Sequence, residues 1–203
     1  MKPDINQIKN RFMKKLFVTF LLMVSVLTMA DGQFTGIGGG LAMSSGFQFH
    51  DQILTVNKSN FVAISFKGFY KISVPFYVSP SFTFFYPHVT KEQVSKQTIS
   101  SMMFDINGHY FLNSTDRFEF YGLAGLNILF ASYKHSGEGL PAYKESDNAP
   151  GLNIGVGTYI KITKKFDIYG EAKYVFNNRY NQFMLNAGVL LNIEPKNKHE
   201  NKE

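Results

Sequence analysis

The side chains best suited to chemistry in this chain are three short groups: His50-Asp51, His135-Ser136 with Glu138, and the glycine run of Phe34-Thr35-Gly36-Ile37-Gly38-Gly39-Gly40-Leu41. A serine nucleophile needs a histidine within hydrogen-bond reach and a third group to orient that histidine. His135 and Ser136 are adjacent, and adjacent side chains on a strand point to opposite faces. Glu138 follows two residues on. Each histidine pair therefore reads as solvated loop. Gly36 to Gly40 resembles a phosphate loop only superficially, since no Gly-Lys-Ser/Thr ending follows and no helical period begins. Those glycines fit better as residues that relieve crowding in, or bend, a first strand. Cysteine is absent, which removes a thiolate nucleophile, a thiolate metal site, a disulfide framework and a lipoprotein anchor. No catalytic, cofactor-binding or metal site is expected.

A second set of charges is more informative. Lys67, Asp105, His109, Arg117, Glu119, Lys161, Asp167, Glu171 and Lys173 all fall on one parity of alternating segments. Five basic or potentially basic groups face four acids, a nearly balanced set suited to an internal ion-pair network. What positions them is a period of two. In Gly151–Phe176, Leu152, Ile154, Val156, Ile160 and Ile162 alternate with Asn153, Gly155, Gly157, Tyr159 and Lys161, and only Thr158 breaks the apolar row. After Thr163-Lys164, Phe166, Ile168, Gly170, Ala172, Tyr174 and Phe176 alternate with Asp167, Tyr169, Glu171, Lys173 and Val175. This is a β-hairpin pattern.

The 203 residues allow one domain, and 44% hydrophobic with 18% charged content describes a folded chain. Aromatics are 21 Phe and 11 Tyr with no Trp, a composition that favours strands. The net charge of +6 comes mostly from one end. Lys2, Lys9, Arg11, Lys14 and Lys15 against Asp4 fill the first fifteen positions, and removing them leaves 16 basic against 14 acidic side chains. No nucleic-acid partner is implied.

Residues 1–30 read as a secretory signal: Lys14-Lys15, an apolar run from Leu16 to Leu27, then Thr28-Met29-Ala30 as a cleavage site before Asp31. The run is shorter than the roughly 20 residues that span a bilayer as a helix. The long stretch before Met13 leaves both Met1 and Met13 as candidate starts. Residues 194–203 form a charged tail expected to be disordered.

Between these ends, eight extended segments are expected, at about 34–44, 61–72, 75–86, 100–112, 117–133, 151–162, 165–176 and 181–193. Short turns (Ser73-Val74, Asn113 to Asp116, Thr163-Lys164) alternate with mostly longer loops (Ser45 to Asn60, Pro87 to Thr98, Lys134 to Pro150), the final one, Asn177 to Tyr180, being short. An all-β, eight-stranded antiparallel up-and-down barrel with both termini at the short-turn rim sorts its connections this way. Pro80, inside the third segment, predicts a bulge or an unpaired donor.

The period of two leaves open which face is greasy. Outward, it makes a transmembrane wall; strands of about 10 to 12 residues match the 9 to 11 tilted residues that cross the hydrocarbon. Tyr110, Phe118, Phe120, Phe130, Phe166, Tyr174 and Phe176 crowd the strand ends, as interfacial girdles would. Inward, the same face lines the cavity of a secreted soluble barrel of lipocalin type, binding an apolar ligand. A diffusion pore is excluded, because eight strands leave almost no lumen.

The last segment ends Asn186-Ala187-Gly188-Val189-Leu190-Leu191-Asn192-Ile193. Its polar-x-Gly-x-x-apolar-x-apolar order, carried by Asn186, Gly188, Leu191 and Ile193, is similar to the assembly signal of bacterial outer-membrane barrels, with Ile193 where an aromatic is usual. Together with the leader, the strand count and the sorted loops, the pattern resembles the small outer-membrane β-barrel family of the OmpA/OmpX type over residues 31–193. The resemblance implies a porin-family-like transmembrane barrel in Gram-negative outer-membrane lipid. It also implies insertion by the barrel-assembly machinery, loops outside the cell and a non-enzymatic role in surface contact, adhesion or envelope integrity. An envelope or extracellular protein partner, or accessory service to a secretion or transport assembly, is compatible with it. Some such barrels process acyl chains of lipid A with His and Ser one residue apart; adjacent His135-Ser136 departs from that spacing.

Overall fold

The computed structural model describes residues 33–47, 59–92, 95–115, 117–137, 140–177 and 180–193. Eight strands follow in order: β1 (Gln33–Phe47), β2 (Ser59–Ser73), β3 (Phe76–Glu92), β4 (Ser95–Ser114), β5 (Phe118–Gly137), β6 (Leu140–Lys161), β7 (Phe166–Asn177) and β8 (Gln182–Asn192). Each pairs with its sequence neighbour, and β1 closes on β8, so the sheet is an up-and-down barrel without a free edge. The closing ladder runs antiparallel from Gly36↔Asn192 to Ser44↔Met184, which puts the start of β1 and the end of β8 at one rim. Closure satisfies the backbone donors and acceptors along the sheet, the condition for a strand structure in lipid. The expected leader (residues 1–30), the charged tail (194–203), His50-Asp51 and most of the first long loop lie outside the described residues.

Parity decides what each side chain meets. Leu152, Ile154, Val156, Ile162, Phe166, Ile168, Tyr174 and Phe176 are exposed on the outer wall, while Asn153, Tyr159, Asp167, Tyr169, Glu171 and Lys173 are buried inside. An outer surface so uniformly apolar is incompatible with a water-soluble exterior. The lipocalin-type alternative, which needs the reverse arrangement, is overturned by these two faces. On β4 the outer apolar residues run from Met102 to Leu112, about the 9 to 11 tilted residues of a membrane crossing.

Three expectations about the backbone are corrected. Of the two consequences expected at Pro80, the bulge does not occur, since the β2–β3 register is the same on both sides, Lys67↔Ser81 and Tyr70↔Val78, whereas the ladder does lapse between those pairs, at Gly68 and Phe69. Pro87 to Thr98 and Lys134 to Pro150, expected as loops, are mostly strand. The β3–β4 ladder continues through His88↔Ile99 to Glu92↔Ser95, and the β5–β6 ladder continues through Ser132↔Ser146 to Gly137↔Leu140. The alternation of greasy and polar residues ends where the strands leave hydrocarbon, although their hydrogen bonding does not. Arg117 does not enter the interior. It sits exposed in the turn before β5, where Thr115 Oγ1 accepts from Phe118 N at 3.0 Å and the Arg117 carbonyl accepts from Lys161 N at 2.9 Å.

The result is a barrel with one side taller than the other. β3 to β6 rise far beyond the level at which β7 turns into β8. Pro150, which has no N–H to leave unpaired, stands one residue past the last described β6–β7 pair, Gly151↔Asn177.

Candidate functional site: the filled interior and the projecting strands

The interior is built in layers. Nearest the short-turn rim, Phe69, Tyr121, Leu123, Tyr159, Tyr169 and Leu190 pack together with Phe111. Tyr121 and Tyr159 stack at 4.8 Å, and His109 lies on Tyr121 at 4.6 Å with the rings 10° apart. Tyr121 lies flat because its cross-strand partner is Gly157; a Cβ there would meet the Tyr121 ring at 2.4 Å. At the other end Met103, Leu129, Tyr133, Val175 and Met184 form an apolar plug with Ile99 and Phe85. Sequence reading missed this plug. Its residues share the inner parity with the polar set, and the β4 pair Met102-Met103 hides the alternation.

Between the two layers lies the polar belt. Lys67 Nζ is 2.5 Å from Glu171 Oε1, with both side chains almost wholly enclosed at 4% and 3% exposure. Tyr121 donates to the same carboxylate oxygen at 2.7 Å. The Lys67 ammonium also lies 4.2 Å from the centre of the Tyr169 ring, a cation–π contact. Lys173 Nζ meets Asp105 Oδ2 at 2.9 Å, and Ser81 donates to that oxygen at 3.0 Å. Asn153 donates to Asp105 Oδ1 at 2.6 Å and to Asn107 at 3.0 Å, while Asn127 donates to Asn153 at 2.8 Å. Two buried ion pairs thus lie in the same layer, each inside its own hydrogen-bonded group, which offsets the desolvation of their charges.

The remaining sequence-selected residues stand apart from that belt. Lys161 and Glu119 pair at 2.8 Å at the short-turn rim, with side chains 39% and 27% exposed. Asp167 accepts from Asn192 at 2.8 Å. His109 is buried, and neither ring nitrogen has a hydrogen-bond partner among the described residues. Asn186 faces inward, while Leu191 and Ile193 face out. Gly188 meets Gly40 across the closing seam, where an added Cβ on either would stand within 2.7 Å of the other's Cα.

Among the described residues, the candidate His135-Ser136 pair is not assembled for chemistry. His135 and Ser136 occupy opposite faces of β5, with His135 opposite Tyr143 on the inner side and Ser136 opposite Lys96 on the outer. Glu138 lies outside the described residues. No cluster of three potential metal ligands occurs among the described residues, and no helix there is long and apolar enough to cross a membrane, which leaves strand crossing untouched.

A closed sheet with an apolar outside, a packed charged inside and strands of membrane-crossing length defines an integral β-barrel membrane protein. The chain belongs to the family described as "Outer membrane protein beta-barrel domain", whose profile matches residues 16–192. It is accordingly a protein of the bacterial outer membrane, surrounded by membrane lipid. Among solved structures it is similar to Ail, the attachment invasion locus protein of Yersinia pestis, at 18% identity and a TM-score of 0.55 over 81% of this chain and 100% of that one. Ail has also been solved with the heparin analogue sucrose octasulfate. Neisserial surface protein A aligns at 14% identity and TM-score 0.58 over 80% of this chain and 99% of that one. The N-terminal β-barrel domain of Pseudomonas aeruginosa OprF aligns at 13% and 0.52 over 80% and 100%. These likenesses establish the fold alone. No curated protein sequence is significantly similar to the chain.

Proposed function

We propose that this outer-membrane barrel is non-enzymatic and works by surface contact, in adhesion or envelope integrity, through the strands that project from β3 to β6. The observation that carries the reading is the contrast between a filled trunk, which can conduct nothing, and a tall paired sheet extending past it. Above the buried Tyr133 the inner face of that sheet presents His135, Tyr143, Glu145 and Asp147, with Tyr180 donating to Asp147 at 2.8 Å from across the mouth. Rigid scaffolds commonly carry binding surfaces at such ends. The heparin analogue bound to Ail supports an extracellular ligand for a barrel of this shape. In this reading residues 1–30 are a cleaved leader and the tall strands point out of the cell. Asn186, Gly188, Leu191 and Ile193 form the signal read by the barrel-assembly machinery.

The test uses the registered pair Ser132↔Ser146. Residues 133–145 are replaced by an Asn-Gly turn, and the trimmed barrel is checked by its gel shift between boiled and unboiled samples. Cells carrying it should bind less to heparin-coated surfaces or grow less well with detergent. A trimmed barrel that reaches the outer membrane and changes neither property overturns the reading. Orientation is tested separately with Ser136→Cys, since the chain has no cysteine of its own. A membrane-impermeant maleimide should label it on intact cells, and labelling only after lysis would reverse the orientation.

A further inference from the structure

No further inference is drawn: the strongest candidate, the pocket of about 460 Å³ at the short-turn rim between Lys161, Lys164, Asp167 and Asn192, carries nothing, because the one Asp167 carboxylate oxygen without a partner among the described residues is itself buried and nothing in the structure shows what would fill the pocket.

Discussion

Two ion pairs of the same chemistry sit only two to four residues apart along β5 and β6, since Tyr121 and Gly157 stand level with Glu171 while Glu119 and Lys161 lie nearer the short-turn rim. Lys67–Glu171 is enclosed in the middle of the lumen, whereas Lys161–Glu119 lies at the rim with a third of its side-chain surface in water. The lengths, 2.5 and 2.8 Å, hardly differ. What differs is the cost of removing one partner. A surface charge left alone is resolvated, whereas a buried one must be neutralised, hydrated by a trapped water or carried as a penalty. The interior pair therefore holds the belt together through what its loss would expose, more than through net attraction.

The sharpest way to break the comparison is Glu171→Leu. It strands the Lys67 ammonium against the Tyr169 ring and removes the acceptor of Tyr121, so unfolding in detergent should become about 3–5 kcal/mol easier. If the loss is one of uncompensated charge, Lys67→Met added to Glu171→Leu should recover much of it. A double variant as weak as the single one would assign the loss to packing instead. Lys173→Leu should cost less, about 3 kcal/mol, since Asp105 would keep its donors Ser81 and Asn153. Stabilisation by this change would mean that Lys173 faces lipid.

Gly157→Ala tests the aromatic layer under the belt without touching a charge. The added methyl group must displace the Tyr121 ring, and with it the hydrogen bond to Glu171. A loss of about 1 to 3 kcal/mol is expected from overpacking. Gly122→Ala is the control, for its added Cβ would meet nothing within 4 Å. Equal losses in the two variants would remove the packing explanation.

The trunk was legible because the membrane imposes a simple rule on it. Lipid demands an apolar side chain at every second position, and that demand alone fixed the parity of Lys67, Asp105, Glu171 and Lys173. Pairing was not legible: nothing in the spacing says that Lys67 meets Glu171 across the lumen while Lys173 meets Asp105. That choice is made by barrel closure, which brings β2 to face β7. The projecting strands were missed for the complementary reason. Above the hydrocarbon both faces are polar, so Lys134-His135-Ser136 has no period to read, although its backbone is as regularly paired as that of the trunk. Arg117 shows the limit of parity from the other side, for counting in twos fails at the first residue that belongs to a turn.

The smallest expected effect is the one that closes the comparison. Glu119→Gln removes the rim charge while keeping the shape of the side chain and its capacity to accept a hydrogen bond from Lys161. Water reaches both partners, so the loss should be under about 1 kcal/mol and should vanish when unfolding is measured at high salt, where exposed pairs are screened. The Glu171→Leu penalty should survive the same salt, since ions do not enter the filled interior. Salt dependence thus separates the two pairs even if their magnitudes overlap. A Glu171→Leu penalty that also vanished in salt would show that the lumen is wet down to the Lys67–Glu171 pair, and the filled trunk would have to be given up.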